Sequence, residues 1–249
     1  MSFTDAELTK DRFLGGKLHV LQPKTGYRAA TDPVFLAAAC PAKQGDSVLD
    51  LGSGAGTAGL CLAARVPVSV TGLEIQPEYA ELARRNAAQN QIELEILDGD
   101  LAQMPDALKA RTFDHVIMNP PFFGPGAKPA DHGRAMARQA QTDLRHWIDA
   151  GLRRLRQRGW ITIIHLTDRL PDIIASLHNR AGGIEIKPLS PREHKPATRV
   201  ILRARKGSKS KAVLCNPLIL HEGASHSGDA DSYTTAARAI LRDGASIEF

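Results

Sequence analysis

Cysteine is scarce in this sequence of 249 residues, which contains only Cys40, Cys61 and Cys215. The three are widely spaced and none belongs to a Cys-x-x-Cys pair, so the pattern supports neither a zinc site nor a redox motif. Isolated thiols of this kind are typical of proteins in a reducing compartment, and we therefore expect a cytoplasmic protein.

Long apolar runs are also missing. No stretch reaches the roughly 20 apolar residues that a membrane-spanning helix requires, and the N-terminus has no basic region followed by an apolar segment. We therefore expect neither a membrane span nor a signal peptide. The nine histidines show no metal-ligand spacing, so no metal site is predicted.

The composition is that of an ordinary globular protein. Apolar residues make up 43% and charged residues 24% of the sequence, close to the usual averages, and the length suits one large domain. The formal net charge of +5 is common among soluble proteins, but it also suits an anionic partner such as a nucleic acid.

Short apolar runs alternate with helical patterns from about residue 46, which predicts an α/β fold with a mostly parallel sheet and helices on both faces. Strands are predicted at 47–51, 68–74, 92–97, 113–118 and 160–166, with helices at 57–65, 77–90, 142–156 and 170–180. Strands at 184–189, 199–205 and 213–220 follow without helices between them, so one antiparallel strand is expected. Helices are also predicted from Asp32, as the N-cap residue, to Ala39, and over 232–242.

A glycine loop follows the first predicted strand of this sheet, in the run Asp50-Leu51-Gly52-Ser53-Gly54-Ala55-Gly56. Glycine allows positive φ and close approach to a ligand, and the following helix directs its N-terminal amides toward that ligand. The run Gly54-x-Gly56-x-x-Gly59 also matches a dinucleotide fingerprint. The loop alone therefore does not separate NAD from S-adenosylmethionine (SAM).

Acidic residues near the strand ends favour SAM. Asp50 precedes the glycines and could bind the ligand's ammonium group, whereas NAD sites usually have a small apolar residue there. Glu74 could bind a ribose diol, and Asp100 could accept from an adenine amine. Because such acids are also common in turns, the prediction of SAM depends on a further motif downstream.

That motif is the run Asn119-Pro120-Pro121-Phe122, which we name the acceptor turn. Its two prolines fix φ and lack N–H groups, so the turn is stiff and rich in acceptors. The Asn119 side-chain oxygen and the Pro120 carbonyl can hold both hydrogens of a planar amine, and Phe122 can stack on the ring that carries it. The pattern predicts methyl transfer to nitrogen, with Asn119, Pro120, Pro121 and Phe122 as the catalytic residues.

Basic residues are concentrated in two later segments. The first follows the acceptor turn and includes Arg134 and Arg138, and the second includes Arg205, Lys206 and Lys209. Such runs are often solvated surfaces, but they also supply the usual contacts to RNA phosphates. We predict that these five residues bind RNA.

Together the motifs resemble the class I SAM-dependent amino-methyltransferases, and more narrowly the bacterial tRNA1(Val) adenine-37 N6-methyltransferase family. Segment 24–39 resembles that family's element against the cofactor, and 218–234 resembles its closing strand and helix. The resemblance implies a Rossmann-like methyltransferase domain at 41–249, an N-terminal segment at 1–40 on the cofactor side, SAM as cofactor and tRNA as partner. The implied cofactor-binding residues are Asp50, Gly52, Ser53, Gly54, Gly56, Glu74, Ile75, Asp100, Leu101, Asn119 and Thr31.

The implied reaction is methyl transfer to the N6 amine of an adenine in the anticodon loop. A similar acceptor turn occurs in guanine-N2 RNA methyltransferases and, with Tyr, in glutamine N5-methyltransferases that act on proteins, and both alternatives stay open. A non-catalytic RNA-binding protein and a nicotinamide oxidoreductase are further alternatives. A non-catalytic RNA-binding protein would not require Asp50, Glu74 and Asn119 together. A nicotinamide oxidoreductase would not require the acceptor turn.

Overall fold

A large β-sheet forms the centre of the computed structural model, which describes residues 2–122, 143–223 and 232–249. The strands in these residues are β1 (Leu8–Phe13), β2 (Leu18–Pro23), β3 (Ser47–Leu51), β4 (Ser69–Glu74), β5 (Leu94–Asp98), β6 (Phe113–Met118), β7 (Leu155–Leu166), β8 (Ala181–Arg192), β9 (Arg199–Lys206), β10 (Val213–Leu214) and β11 (Leu218–His221). The order across the large sheet is β5-β4-β3-β6-β7-β9-β8, and β10 and β11 pair with β8. Because β9 is antiparallel to both neighbours and the other pairs are parallel, the prediction of one antiparallel strand is confirmed.

Helices cover both faces of this sheet, as predicted. The helices in the described residues are α1 (Asp32–Ala39), α2 (Thr57–Arg65), α3 (Pro77–Gln89), α4 (Asp106–Lys109), α5 (Leu144–Arg154), α6 (Leu170–Leu177) and α7 (Thr235–Arg238). Phe35 of α1 packs in one buried cluster and Trp147 of α5 in another. Neighbouring residues of β3 divide between the clusters, with Val48 in the first and Leu49 in the second. Burial on both faces explains why the central strands read as continuous apolar runs.

Several boundaries differ from the predictions, and each difference has a local cause. Strand β7 begins at Leu155, five residues early, so α5 ends at Arg154. Leu155 already has extended backbone angles and pairs with Phe113, and a register shift between Phe113 and His115 accommodates the longer strand. The strand predicted at 213–220 is two short strands, β10 and β11. Pro217, which has no N–H to donate, lies between them.

The two predicted terminal helices also differ in detail. Asp32 is the first helical residue of α1, while Thr31 holds the N-cap position. The Asp32 carboxylate does not cap the helix; its Oδ2 atom lies 3.1 Å from Nε of Arg199. The helix predicted at 232–242 is the four-residue α7, which continues as a π-helical turn over Ala239–Asp243.

The sequence analysis predicted neither the four-residue helix α4 nor the N-terminal hairpin, which antiparallel β1 and β2 form. Buried Leu18 and Val20 attach it to the core, and Asn86 of α3 joins it to the glycine loop. The Asn86 amide accepts from Leu21 N at 2.7 Å and donates to the carbonyls of Leu21 and Ala55, each at 3.0 Å.

Cys40 and Cys61 are buried, and burial raises the pKa of each thiol to about 12. Within the described ranges, no helix has the length and apolar composition to span a membrane. No cluster of His, Cys, Asp or Glu in those ranges is arranged to hold a metal ion.

Replacement of Asn86 by Ala should strongly destabilise the protein. The substitution leaves one N–H and two carbonyl groups without their buried partner, so we expect a loss of about 2–4 kcal/mol in the free energy of unfolding. Gln89→Ala is the matched control, because exposed Gln89 lies on the same helix and makes one bond to the hairpin, to His19 O at 2.8 Å. Urea unfolding of both variants measures the difference, and equal losses would contradict the role given to Asn86.

Candidate active site

A cavity of about 280 Å³ lies at the carboxyl ends of β3, β4 and β6. Three segments that are distant in sequence line it: the glycine loop with the start of α2 (residues 50, 52–55, 57 and 58), Glu74 with Gln76, and the acceptor turn over 119–122. Gly56, also predicted to bind the cofactor, does not line this cavity. Tyr27, Ala29 and Pro33 of the N-terminal segment form a further wall. The fold therefore brings the two predicted motifs into one site, at the edge where open α/β sheets bind ligands.

The glycine loop has the backbone conformation that its glycines predict. Gly52, Gly54 and Gly56 have φ values of 69°, 54° and 81°, which are unfavourable for residues with a side chain. The Gly52 and Ser53 amides donate to Leu73 O at 2.8 and 3.1 Å, and these bonds attach the loop to β4.

Glu74 is buried at the end of β4, and its carboxylate organises the loop beside it. Oε2 accepts from Gly54 N at 2.7 Å, and Oε1 accepts from Gln76 N at 2.9 Å. Burial raises the pKa of Glu74, and the hydrogen bonds from these amides oppose that rise. Each oxygen keeps a second lone pair, so the carboxylate can also accept from a diol.

Asp50 lies at the end of β3 in a different environment. It is buried, and burial raises its pKa to about 7, with the nearby Glu74 carboxylate adding to the rise and the Gly59 amide opposing it. The Oδ2 atom has no hydrogen-bond partner in the described part of the chain. A cation in the cavity would stabilise the charged form of this carboxylate.

Other buried polar atoms around the cavity also lack partners among the described residues. They are Ser53 Oγ, Thr57 Oγ1 and Asn119 Oδ1. Since buried polar groups are nearly always hydrogen-bonded in folded proteins, several orphaned atoms around one cavity indicate a polar ligand. Their placement, together with Asp50, fits a ligand with one charged amine and several hydrogen-bonding groups.

The acceptor turn is held from both ends. Asn119 Nδ2 donates to the hydroxyl of Tyr27 at 3.4 Å. This bond orients the Asn119 amide in the wall of the cavity, which both residues line. Tyr27 is 44% exposed overall, but burial of its phenol and the nearby carboxylates of Asp32 and Asp50 raise its pKa to about 12. The ring of Phe122, at the other end, packs against side chains of β7 and β9.

Those two side chains belong to His165 and Arg199, to which the sequence analysis gave no role at the acceptor turn. The His165 ring meets the Phe122 ring edge-on, with centroids 5.0 Å apart and an interplanar angle of 73°. The guanidinium carbon of Arg199 lies 4.8 Å from the centre of the Phe122 ring. No local motif marks either residue; each follows from the sheet order that places β7 beside β6 and β9 beside β7.

Some predicted cofactor residues lie beside the large cavity rather than around it. Ile75, Asp100 and Leu101 line a smaller adjoining pocket of about 10 Å³, where Trp147 also lies. Asp100 Oδ1 accepts from Ala102 N at 2.8 Å and so caps a short turn. Thr31 is absent from the described walls of both pockets; its carbonyl accepts from the first amides of α1. The cofactor role of all four residues stays a prediction.

The predicted RNA-binding residues are also distant from the cavity, where the structure describes them. Arg134 and Arg138 lie outside the described residues. Strand β9 is antiparallel to its neighbours, so its last residues lie at the end of the sheet opposite the cavity. At or just after this end of β9 lie Arg205, Lys206 and Lys209.

Two of these three side chains make internal bonds. Arg205 Nε donates to Arg158 O at 2.9 Å, and Lys206 Nζ donates to Leu155 O at 2.8 Å. Burial, with Arg154 and Arg180 nearby, lowers the pKa of Lys206. Lys209 is exposed. Their role toward RNA stays a prediction, and it cannot include contacts beside a base that occupies the cavity.

Comparison with known proteins places this chain in a family. The family model described as the methyltransferase small domain matches residues 30–147. A tRNA1(Val) (adenine(37)-N6)-methyltransferase of Shewanella sp. (strain W3-18-1) is 30% identical over 203 residues, 80% of each chain. A protein with the same description from Porphyromonas gingivalis is 33% identical over 173 residues, which cover 66% of this chain and 68% of that protein.

The chain belongs to the tRNA1(Val) (adenine(37)-N6)-methyltransferase family. The resemblance drawn from the motifs is therefore confirmed. A solved structure described as a predicted O-methyltransferase of Agrobacterium tumefaciens has a TM-score of 0.70 and 30% identity, covering 87% of this chain and 98% of that one. A 16S rRNA N2 methyltransferase of T. thermophilus, in complex with AdoMet and guanosine, has a TM-score of 0.57 at 20% identity. It covers 80% of this chain and 50% of that one, and it shows the shared fold alone.

The high pKa of Asp50 predicts how stability depends on pH without a ligand. Because the folded pKa of about 7 exceeds the ordinary value, the stabilising contribution is present at low pH and is lost as pH rises through 7. Relative to the parent, Asp50→Asn should therefore gain about 3 kcal/mol of unfolding free energy between pH 5 and pH 8.

Urea unfolding at the two pH values measures this difference. Asp106→Asn is the control, because Asp106 is exposed and its pKa is lowered by Lys109. A parallel pH dependence for the parent and Asp50→Asn would contradict the environment assigned to Asp50.

Proposed function

We propose that this protein transfers a methyl group from SAM to the exocyclic N6 amine of an adenine in tRNA. The observation that carries the proposal is the single cavity shared by Asp50, Glu74 and the acceptor turn. One end of this cavity suits a ligand with an ammonium group, and the other suits a planar amine.

The residues of the large cavity fit SAM. The Asp50 carboxylate would hold the ammonium group, and Glu74, already fixed by two amides, would accept from a ribose diol. The positive-φ glycines keep side chains away from the space between them. When bound, SAM supplies a methyl group on a positively charged sulfur, which is the electrophile of the reaction.

The acceptor turn would prepare the nitrogen of the target. Asn119 Oδ1, which has no partner among the described residues, and the Pro120 carbonyl would accept the two amine hydrogens. This arrangement would localise the nitrogen lone pair for attack on the methyl carbon, whose bond to the sulfur of SAM would break, and the proton released by the amine would go to solvent. Phe122 would hold the base ring in line. Orientation and preorganised acceptors therefore supply the catalysis, without a strong general base.

Adenine in tRNA is the substrate named in the descriptions of the curated relatives. A relative in Proteus mirabilis with this description aligns over 96% of the present chain at 26% identity. The net charge of +5 suits a nucleic acid rather than a protein amide. The Agrobacterium tumefaciens structure is described as a predicted O-methyltransferase. A hydroxyl group that receives a methyl group has only one hydrogen, so it would use only one of the two hydrogen-bond acceptors in the turn.

The proposal extends to organisation and location. Residues 1–40 would form a segment on the cofactor side, of which Tyr27, Ala29 and Pro33 line the cavity, and residues 41–249 would form the methyltransferase domain. Arg134, Arg138, Arg205, Lys206 and Lys209 would contact tRNA, the last three far from the target base. Since tRNA is modified in the cytoplasm of a bacterium, the protein would act there.

Incubation with labelled SAM and three separate acceptors tests the substrate. Total tRNA, rRNA and a protein release factor are the acceptors, and nucleoside mass spectrometry identifies the product. We expect label in tRNA, as N6-methyladenosine. Label in the release factor, or as N2-methylguanosine, would overturn the choice of adenine.

Asn119→Ala should separate chemistry from cofactor binding. The variant loses one preorganised acceptor, so turnover should fall by about 100-fold or more, while SAM affinity changes by a few-fold at most. Phe122→Ala should mainly weaken RNA binding, by about 1–3 kcal/mol for one stacking platform. Calorimetry with SAM and steady-state kinetics with tRNA make both measurements. Turnover at the parental rate in Asn119→Ala would contradict the role of the acceptor turn.

A further inference from the structure

The ring of Phe122 is fixed by contacts that the acceptor turn does not itself provide. His165 meets the ring edge-on at 5.0 Å, and the Arg199 guanidinium lies over it at 4.8 Å. The two residues come from adjacent antiparallel strands, in which Arg199 pairs with Leu166 and Val200 pairs with His165. Since Ile163 pairs with Met118, the last residue of β6, both residues lie just beyond the carboxyl end of β6, where the acceptor turn begins.

Arg199 is itself held in place by the N-terminal segment. Its Nε atom lies 3.1 Å from Oδ2 of Asp32, the first residue of α1. The side chains are 31% and 19% exposed, so solvent screens this ion pair less than a pair on the open surface. Pro33, next to Asp32, lines the cavity. The pair thus connects β9, α1 and the ring of the acceptor turn.

His165 contributes an uncharged contact. Burial, with Arg169 and Arg199 nearby, lowers its pKa to about 4, against the opposing effect of Asp168 and Asp172. Its Nδ1 atom accepts from Leu166 N at 2.8 Å, which sets the orientation of the imidazole. Among the described residues, the charged group against Phe122 is therefore Arg199. Phe122 also lines the cavity, so a flat base bound there can contact its ring.

We propose that Arg199, braced by Asp32, is a positioning residue that fixes the Phe122 ring as the platform for the target base. This inference rests on the proposed function, because it assumes a flat base in the cavity. Arg199 does not touch the reacting atoms; it acts through Phe122. A planar guanidinium suits this role better than an ammonium group, because it can lie flat on a ring while its Nε–H binds a carboxylate.

The first test is Arg199→Lys, which keeps the charge but removes the planar group. We expect turnover on tRNA to fall by about 10-fold or more, as for other small misplacements of a reacting partner, with affinity for S-adenosylhomocysteine within two-fold. Asp32→Asn should change turnover in the same direction. In a Phe122→Leu background, Arg199→Lys should have little further effect, because the residue acts through that ring.

Arg203→Lys is the matched control. Arg203 lies on the same strand, lies over the Phe249 ring at 3.8 Å and pairs with Glu185, but it is remote from the cavity. The control should lose at least as much thermal stability as Arg199→Lys while turnover stays within two-fold. Equal turnover in the two variants, or additive effects of Arg199→Lys and Phe122→Leu, would overturn the proposal.

A second readout does not depend on the RNA substrate. The chain has seven phenylalanines, so the aromatic carbon resonances of Phe122 can be assigned by comparison with Phe122→Leu. With S-adenosylhomocysteine bound, Arg199→Lys should shift these resonances, and Arg203→Lys should not. Unshifted resonances in Arg199→Lys would overturn the inference even if the parent methylates tRNA. If the parent failed to methylate any RNA, the proposed function would fail, while this spectrum would still decide whether Arg199 fixes the ring.

Discussion

The carboxylate of Glu74 is the group on which the shape of the cavity depends. It accepts from Gly54 N in the loop after β3 and from Gln76 N in the loop after β4, so one side chain fixes two ligand-facing segments. Asn86 supports the same loop from the other side through Ala55 O, and it joins the loop to the N-terminal hairpin. If these buried bonds were lost, Gly52 and Ser53 would still be bonded to Leu73 O, but the positive-φ glycines would leave the rest of the loop free to move.

The two buried acids of the cavity show how hydrogen bonding separates their roles. Glu74 has each oxygen bonded to a backbone amide, which offsets part of the cost of burial. Asp50 has an oxygen with no partner among the described residues and a pKa near 7. A neutral diol suits the first acid, because it needs only an acceptor. A cation suits the second, because pairing recovers the free energy that burial of the charge costs.

The sequence predicts those parts of the fold and site that local chemistry determines. Continuous apolar runs indicate buried parallel strands, and glycines at 52, 54 and 56 indicate positive φ. The contacts of His165 and Arg199 with Phe122 could not be predicted, because they join strands whose order becomes clear only in the folded sheet. The N-terminal hairpin was missed for the same reason. Its backbone is bonded to a helix that lies 65 residues further along the chain, since Leu21 N donates to Asn86 Oδ1.

The direction of β9 also places the basic residues of this strand at opposite ends of the sheet. The strand begins with Arg199 at the end of the sheet where the cavity lies, and it finishes with Lys206 at the opposite end. Seven residues of extended chain separate them by about 23 Å, at about 3.3 Å per residue. A target nucleotide in the cavity and its immediate neighbours can therefore reach only the first of these two ends. Any contact of Arg205 or Lys209 with RNA requires another part of a large folded molecule, which a tRNA provides and a short single strand does not.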